Sequence, residues 1–273
     1  MRAYNTSYVH YHSYIVKRLG IFGGSFNPVH IGHCAVAEYF VHHVHLDTCV
    51  FVPTFVSPFK TDDTAVADAH RRLAMLRSVC RTNSRFAVSD IELQRRDVSY
   101  TVHTVRHFRK RYPDAELFLL IGQDLLARFT EWKEWEEIAR GVTICVARRG
   151  TEYSKNDLDV IERIAALGNT PIGLFPPRID VSSSMIRSMI AGRESLRYVV
   201  PDSVRRMIRK HGLYGWHTSR QEAPNVINPT YVDSRNAKAS LDIPTSTQNV
   251  ARADHGDNPK RSVSTVIPTE STE

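Results

Sequence analysis

A glycine-rich turn followed by two histidines constrains the fold of this chain more than any other segment. Apolar residues fill Leu19–Phe22, Gly23 and Gly24 follow, and His30 and His33 close the segment. Glycine lets the backbone adopt positive φ and lets a polyanion approach its N–H groups, so the segment predicts a strand, a phosphate-binding turn and a helix. The two imidazoles then share one face of the first helical turn, at the positive end of the helix dipole. Such a site suits a nucleoside triphosphate.

The spacing within this segment separates it from other phosphate loops. It has neither the G-K-[ST] ending nor the G-x-G-x-x-G spacing of two common nucleotide-binding turns. Pro28 is predicted to begin the helix, since its fixed φ suits the first helical position. A histidine alone here would be interpreted as a surface residue, and the glycines as a hairpin turn. The ordered combination with His-x-Gly-His indicates a nucleotide site instead.

Short apolar runs alternate along the chain with segments of helical periodicity. The predicted strands are Arg18–Phe22, Thr48–Val52, Arg85–Val88, Glu116–Ile121, Val142–Ala147 and Ile172–Phe175. The predicted helices are His30–His45, Asp68–Thr82, Tyr100–Arg111, Trp132–Ala139, Asn156–Leu167, Ser183–Ala191 and Pro201–His211. This alternation implies right-handed parallel crossovers and an α/β fold with a doubly wound, Rossmann-like parallel sheet and helices on both faces. In such sheets ligands bind beyond the carboxyl ends of the strands, where the glycine turn lies.

Composition divides the 273 residues into three parts. We expect an N-terminal extension over residues 1–16, one folded domain over 17–216 and a disordered tail over 217–273. The tail is rich in Ser, Thr, Asn, Pro and Asp and has no sustained apolar period, so it cannot bury enough surface to order itself. It also holds slightly more acidic than basic residues, so the formal net charge of +7 belongs to the folded domain and favours small anionic ligands.

Cysteine usage and hydropathy indicate a cytoplasmic protein. The four cysteines are scattered, without a C-x-x-C pair or a histidine at metal-ligand spacing, which predicts reduced thiols and no structural metal. No apolar stretch approaches the length of a membrane span, and the N-terminal segment lacks the apolar region of a signal peptide. We therefore expect neither a membrane nor a nucleic acid as partner.

A second candidate phosphate site comes late in the domain. Ser182, Ser183 and Ser184 are predicted to cap a helix, and Arg187 projects from its first turn. Hydroxyls, N–H groups and the guanidinium fork all bind phosphate oxygens. Alone, this pattern is usually only a helix cap with a surface arginine. Combined with the histidine segment, it predicts the opposite side of a triphosphate site.

Several motifs in order resemble those of the nucleotidyltransferase superfamily, and more closely those of the bacterial nicotinate-mononucleotide adenylyltransferases. Gly23–His33 is similar to G-G-[ST]-F-[DN]-P-x-H-x-G-H, Pro53–Lys60 to P-x(4)-P-[HP]-K and Arg72–Leu76 to R-L-x-M-L. Glu92 with Ser99–Thr101 is similar to E-x(6)-S-Y-T, Ile121–Asp124 with Trp132 to G-x-D…W, and Val181–Arg187 to I-S-S-T-x-I-R. The resemblance extends from about Leu19 to Tyr214, nearly the whole predicted domain.

The resemblance implies transfer of AMP from ATP to nicotinic acid mononucleotide, which gives nicotinate adenine dinucleotide and pyrophosphate in NAD biosynthesis. Its implied catalytic residues are His30, His33 and Arg187. The implied ATP-binding residues are Gly23, Gly24, Ser25, Phe26, His30, His33, Gly122, Asp124, Ser182, Ser183, Ser184 and Arg187. The implied acceptor-binding residues are Lys60, Tyr100, Thr101, Trp132 and Arg148. The cofactor implied is Mg²⁺, held chiefly by ATP phosphates and water rather than by protein ligands.

Two positions depart from the family pattern. Phe59 stands where a histidine usually precedes the lysine, and Arg149 stands where a proline usually follows the arginine. Both changes bear on the affinity for substrates rather than on the fold or the chemistry.

Alternatives to this assignment differ in acceptor or in activity. The same adenylyl transfer could use the amide mononucleotide or another phosphate-bearing acceptor. Transferases acting on pantetheine phosphate or glycerol phosphate lack the Ser-Tyr-Thr element. A class I aminoacyl-tRNA synthetase fragment shares the His-Ile-Gly-His letters, but this chain has no K-M-S-K-S loop. A non-catalytic nucleotide-sensing regulator would be expected to have lost a phosphate-contacting residue, and His30, His33 and Arg187 are all present.

Overall fold

The computed structural model of the protein describes residues 16–58, 67–148, 150 and 152–216. The sequence-based expectations for residues 1–15 and for the tail over 217–273 lie outside the described residues. So do Phe59, Lys60 and Arg149.

Six strands form one parallel sheet in the described part of the chain. They are β1 (Arg18–Gly24), β2 (Thr48–Pro53), β3 (Phe86–Val88), β4 (Glu116–Gly122), β5 (Thr143–Ala147) and β6 (Ile172–Leu174). The strand order is β3-β2-β1-β4-β5-β6, with every neighbouring pair parallel. This order is that of the doubly wound dinucleotide-binding fold, in which the direction of winding reverses between β1 and β4. The predicted fold class is confirmed.

The helices cover both faces of this sheet. They are α1 (Ile31–His43), α2 (Ala69–Cys80), α3 (Ile91–Arg95), α4 (Thr101–Arg111), α5 (Gln123–Leu126), α6 (Trp135–Gly141), α7 (Lys155–Ala165), α8 (Ser183–Ala191) and α9 (Asp202–Lys210). Two 3₁₀ turns occur at Phe129–Glu131 and Leu213–Gly215. Across the described ranges, no helix has both the length and the apolar character needed to cross a membrane.

Two of the sequence-based helix starts were wrong. The helix predicted from Trp132 begins at Trp135, since Trp132 has extended backbone (φ −72°, ψ 144°) after the 3₁₀ turn. Pro28 does not begin α1: its peptide bond with Asn27 is cis, and the helix is capped by His30, whose backbone is extended (φ −139°, ψ 173°). Pro28 therefore lies in the loop, where its carbonyl accepts a hydrogen bond from the Ser183 hydroxyl at 2.9 Å.

Alternating side chains of the central strands build two cores, one on each face of the sheet. In β4, Phe118 and Leu120 belong to the core beneath α1, α2, α8 and α9, whereas Leu117 and Leu119 belong to the core beneath α4, α6 and α7. All six residues of β2 are buried. Because both faces are covered, these strands are apolar throughout, which is why their sequences read as continuous apolar runs.

Candidate active site

A cavity of about 1000 Å³ opens at the carboxyl ends of β1 and β4. Its walls include Gly23 and Gly24 at the end of β1 and Gly122 at the end of β4. The strand order reverses between these two strands, and ligands of doubly wound sheets bind at that crevice. The volume is at the upper end of the range for small-molecule sites.

Most residues that the sequence assigned to the two substrates line this one cavity. They are Gly23, Gly24, Ser25, His30, His33, Tyr100, Thr101, Gly122, Asp124, Trp132, Arg148, Ser182, Ser183, Ser184 and Arg187. Lys60 is outside the described residues. Phe26 is described but is not part of the wall.

The structure places the side chain of Phe26, one of the residues assigned to ATP, in the core and not on the cavity wall. Phe26 is 1% exposed and packs beneath the loop, with its ring edge-on to Phe22, Phe51 and His33 at centroid distances of 5.5, 5.6 and 5.0 Å. A large apolar ring gains more from burial than from contact with a charged phosphate. Phe26 therefore supports His33 from the core side.

Gly23 and Gly24 matter because they lack a side chain, and not because their backbone adopts positive φ. Both belong to β1, and the positive φ in this loop is at Phe26 (46°). A Cβ at Gly23 would meet nothing within 4 Å, since that position faces the cavity. A Cβ at Gly24 would lie 3.0 Å from the Phe26 ring. One glycine thus leaves room for a ligand, and the other leaves room for the buried phenylalanine.

His30 is buried and neutral at the N-cap of α1. It is 6% exposed, and burial lowers the pKa of its ring to about 4. Its ring stacks on that of His33 at a centroid distance of 3.6 Å. A Cβ at Gly32 would lie 3.1 Å from His30 Nδ1, so the glycine of His-x-Gly-His lets this ring lie close to the helix. At neutral pH His30 therefore offers a hydrogen bond rather than a positive charge.

His33 is oriented by the backbone of His30. The His30 N–H donates to His33 Nδ1 at 3.3 Å, which satisfies one of the N–H groups that a helix start leaves without an intrahelical acceptor. Since Nδ1 accepts, the proton of the neutral ring is on Nε2. The ring lines the cavity at the start of α1. His33 is therefore held as a donor whose orientation is fixed from both sides, by Phe26 and by the backbone.

The start of α8 forms the wall opposite α1. Arg187 donates to the Asn27 carbonyl at 2.9 Å and to the Ser184 hydroxyl at 3.2 Å. Ser182 caps the helix by accepting from the Met185 N–H at 3.1 Å, and Ser183 donates to the Pro28 carbonyl. The cap by Ser182 agrees with the predicted helix start, whereas the contact of Ser183 with the Pro28 carbonyl was not predicted. They fix Arg187 and the N-terminal turn of α8 relative to the glycine-rich loop.

Asp124 lies in the first turn of α5 and depends on Gly122. A Cβ at residue 122 would come within 2.5 Å of Asp124 Oδ1, so only glycine lets the carboxylate lie over the end of β4. The carboxylate lines the cavity and is not the helix cap, which is Gly122. It is placed to accept hydrogen bonds from hydroxyl groups of a bound ligand.

Two of the predicted acceptor residues, Tyr100 and Thr101, lie on the side of the cavity near β2. A parallel bridge between Val56 and Val98 joins the loop after β2 to the start of α4, where Tyr100 and Thr101 follow. The Tyr100 N–H donates to the Val98 carbonyl at 3.0 Å, so it has an acceptor within the protein. Thr101 is the first residue of α4, where N–H groups have no intrahelical acceptor.

Trp132 and its neighbour Lys133 approach the start of α4 from the other side. Trp132 is half-buried against Phe129, with ring centroids 5.2 Å apart, and it lines the cavity. Lys133 places its ammonium 4.7 Å from the centroid of the Tyr100 ring. This contact was not predicted, since nothing in the sequence pairs residues 100 and 133. It brings the Trp132 loop against the Ser-Tyr-Thr element.

Arg148 lines the cavity on the side near β6, away from Tyr100. Its guanidinium lies between two rings, 3.9 Å from the centroid of Tyr153 and 4.6 Å from that of Phe175. In the sheet, β1 and β4 separate β5, which ends just before Arg148, from β2. The sequence grouped Arg148 with the acceptor residues, and the structure does not bring them together.

Two residues outside the cavity hold the loop after β1 and had no predicted role. The Arg72 side chain is 2% exposed and donates to the carbonyls of Ser25, Thr54 and Ala67 at 2.7, 2.8 and 3.2 Å. The Tyr214 hydroxyl donates to Asn27 Oδ1 at 2.9 Å. An arginine on the apolar face of α2 is a sequence signal for the first contact. The second joins residues 187 positions apart and has no local signal.

Comparison with known proteins identifies the same family as the sequence motifs. A family model described as cytidylyltransferase-like matches residues 21–189. A Clostridium novyi protein named "Probable nicotinate-nucleotide adenylyltransferase" is 36% identical over 200 residues, which cover 73% of this chain and 100% of that protein. A protein of the same name from Neisseria meningitidis serogroup B is 37% identical, covering 73% of this chain and 99% of that protein.

A solved structure matches the fold. The Plasmodium falciparum nicotinic acid mononucleotide adenylyltransferase complexed with NaAD superposes with a TM-score of 0.59 at 18% identity, covering 74% of this chain and 98% of that one. At that identity the likeness concerns the fold alone. The family model and the two bacterial relatives carry the assignment: the chain belongs to the cytidylyltransferase-like family and, within it, to the nicotinate-nucleotide adenylyltransferases.

Proposed function

We propose that the protein transfers AMP from ATP to nicotinic acid mononucleotide, releasing pyrophosphate and forming nicotinate adenine dinucleotide. One observation carries the proposal: a single cavity joins the histidine pair at the start of α1, Arg187 at the start of α8, and the Tyr100–Thr101 and Trp132 wall. The first two elements suit a triphosphate. The third suits a planar ring that bears an anionic group. The names of the bacterial relatives support the same reaction.

In this proposal the triphosphate lies between the starts of α1 and α8. His33 donates through Nε2, His30 donates as a neutral ring, and Arg187 supplies a fixed positive charge. N–H groups of the first turn of α8 add donors at the positive end of its dipole. Asp124 accepts from ribose hydroxyls. Since Arg148 lies on the side of β6, we assign its stack with Phe175 to the ATP side instead of the acceptor side.

The acceptor lies on the wall near β2. Trp132 stacks on the pyridine ring, and the N–H of Thr101 donates to the carboxylate of that ring. Lys133, held over Tyr100, adds positive charge close to the same carboxylate. The acceptor phosphate then points toward the histidine pair and the α-phosphate of ATP.

The chemistry needs no general base among the protein side chains. The phosphate of the acceptor is already ionised at neutral pH, so one of its oxygens attacks the α-phosphorus of ATP directly. The bond from the α-phosphorus to the oxygen of the departing pyrophosphate breaks as the new bond forms. Catalysis then depends on aligning two anions and stabilising the charge that moves onto pyrophosphate. His33 and Arg187 are placed for that.

A divalent cation fits this site as part of the bound nucleotide. The described residues include no group of three histidine, cysteine, aspartate or glutamate side chains able to hold a metal. A magnesium ion readily keeps several water ligands and binds through phosphates, so the triphosphate and water would hold it. It would supply further neutralisation of phosphate charge.

The test is an assay with purified protein, ATP and either the acid or the amide mononucleotide. We expect the dinucleotide and pyrophosphate in equal amounts, with kcat/KM larger for the acid. An amide brings an N–H₂ donor where an acceptor is needed, so it loses more than one ordinary hydrogen bond. Equal values, or a preference for the amide, would refute the acceptor assignment while leaving adenylyl transfer intact. Absence of pyrophosphate with both acceptors would refute the transfer itself.

A further inference from the structure

Glu92 is a buried carboxyl group on the cavity wall that the proposed chemistry does not use. It lies in α3, is 5% exposed and lines the cavity. The Thr104 hydroxyl, 1% exposed, donates to Glu92 Oε1 at 2.6 Å. A buried carboxyl group is costly unless its contacts repay the loss of water. Its contacts therefore indicate what it is retained for.

The hydrogen bond from Thr104 ties Glu92 to the start of α4, since Thr104 lies in the first turn of that helix. Ser99, just before Tyr100, accepts with its Oγ from the Phe55 N–H at 2.9 Å, which joins the loop after β2 to the same segment. Glu92 thus fixes the first turn of α4 directly after Tyr100 and Thr101.

The position of this short segment matters more than its stability. A donor that reads a carboxylate must be held within a fraction of an ångström of its productive position. Thr101 has no side-chain cap of its own to fix it, since the N-cap Tyr100 makes no side-chain hydrogen bond to the helix. The hydrogen bond between Thr104 and Glu92 supplies that restraint.

The charge state of Glu92 agrees with such a role. Burial raises the pKa of its carboxyl group above the usual value, while Thr104, Ser99 and Arg95 act in the opposite direction. A carboxyl group that ionises less readily repels an anionic ligand in the cavity less strongly than an ordinary glutamate would.

We propose that Glu92 is a positioning residue for the acceptor: by holding Thr104 it sets the start of α4 and so determines the preference for an acid over an amide. This inference rests on the proposed function, in which the start of α4 reads the carboxylate. Glu92 itself acts through its neighbours and not on the reacting atoms.

The experiment compares Glu92→Ala and Thr104→Val with the conservative variants Glu92→Gln and Thr104→Ser. Steady-state KM and kcat are measured for the acid mononucleotide, the amide mononucleotide and ATP. We expect Glu92→Ala and Thr104→Val to raise the KM for the acid about tenfold and to lower the ratio of acid to amide kcat/KM by a similar factor. The KM for ATP should stay within about twofold. Glu92→Gln and Thr104→Ser keep an acceptor and a donor, so they should restore most of the acid preference.

The control is Ser78→Ala, which removes a hydrogen bond between helices away from the cavity. Ser78 donates at 3.0 Å to Ser203 and so links α2 to α9. We expect this variant to change the melting temperature slightly and no KM. The inference is overturned if Glu92→Ala and Thr104→Val leave the acid preference unchanged, or if they raise the KM for ATP and the acid equally. If the unmodified enzyme shows no preference for the acid, the proposed acceptor is wrong. That outcome is measured on the unmodified enzyme alone, so it is distinguished from a failure of the Glu92 inference.

Discussion

A histidine at the start of a helix is usually assumed to be protonated when it binds phosphate. His30 is an exception, because burial favours the neutral form of its ring. Its ring is stacked on His33 and almost closed off from water, so the neutral form is favoured down to a pKa of about 4. In the proposed reaction His30 therefore contributes an N–H donor at neutral pH rather than the positive charge of an imidazolium.

The buried neutral His30 predicts a specific acid sensitivity of folding. In the unfolded chain His30 takes up a proton near its usual pKa of 6.5, whereas in the folded protein it does so only near 4. The unfolded state therefore binds more protons between these values, and the free energy of unfolding falls as the pH drops through this window. Protonation of His30 in the unfolded chain thus lowers the free energy of unfolding by about 3 kcal/mol at pH 4.

Urea denaturation of the unmodified protein and of His30→Gln, from pH 7 to pH 4, measures this difference. The difference in the free energy of unfolding between the two proteins should shrink or reverse as the pH is lowered. A pH-independent difference would show that His30 is not buried as a neutral ring.

His33 differs from His30 in that its ring acts directly on the leaving group in the proposed reaction. We expect His33→Ala to lower kcat by about 10² or more, because the donor is lost where charge develops. Its melting temperature should remain close to that of the unmodified enzyme. The matched control is His42→Ala, an exposed histidine of the same helix, outside the cavity. Unchanged turnover in His33→Ala would contradict the proposed role.

At the scale of elements, the site depends on hydrogen bonds between the loop after β1 and side chains of the surrounding helices. The loop after β1 is held by Arg187 and Ser183 from α8, by Arg72 from α2 and by Tyr214 from the 3₁₀ turn after α9. These contacts leave the loop little freedom even though it has no regular structure. A preorganised loop of this kind lets its N–H groups and histidines bind phosphate without first losing conformational entropy.

Arg72 donates hydrogen bonds to three backbone carbonyls, and its removal should affect both stability and nucleotide binding. In Arg72→Met three buried or half-buried carbonyls lose their donor, at a cost of about 3 kcal/mol or more. The melting temperature should fall by about 10 °C, and the KM for ATP should rise because the loops after β1 and β2 are no longer joined. Arg77→Met is the control, since Arg77 is exposed on the same helix and only approaches Asp90 at 3.6 Å. Equal effects of the two variants would argue against a specific role for Arg72.

Elements with a clear apolar pattern could be predicted from the sequence, and the shortest helices could not. The central strands were recognisable because both faces of the sheet are covered there, and the longer helices because one stripe of each is apolar. By contrast α3 has five residues and α5 has four, which is too few for a period to show.

The site was predictable in its location and less so in its contacts. The carboxyl ends of β1 and β4 follow from the strand pattern, and most predicted residues line the cavity found there. The burial of Phe26, the stacking of His30 on His33 and the Tyr214 contact depend on tertiary packing between distant segments. No local pattern encodes these contacts, so only the structure reveals them.

At the scale of the whole molecule, the last described elements belong to one of the two cores. The last elements, α9 and the 3₁₀ turn Leu213–Gly215, pack on the core that also contains α1, α2 and α8. Tyr214 reaches from this turn to Asn27 in the loop of the active site. The contact between Tyr214 and Asn27 thus lies just before residue 217, and truncation can test residues 217–273 separately from it.

Two truncations test that boundary. Removal of residues 217–273 should leave kcat/KM within about twofold and the melting temperature nearly unchanged, because the removed segment lacks the apolar content needed to join a core. Removal of residues 213–273 should lower both, since it also deletes the Tyr214 hydroxyl that donates to Asn27. Tyr214→Phe in the full-length chain separates the hydrogen bond from the packing of the ring, and it should raise the KM for ATP with a smaller loss of stability than the longer truncation causes. A large drop in melting temperature in the shorter truncation would place residues 217–273 in the folded core and refute the boundary at residue 216.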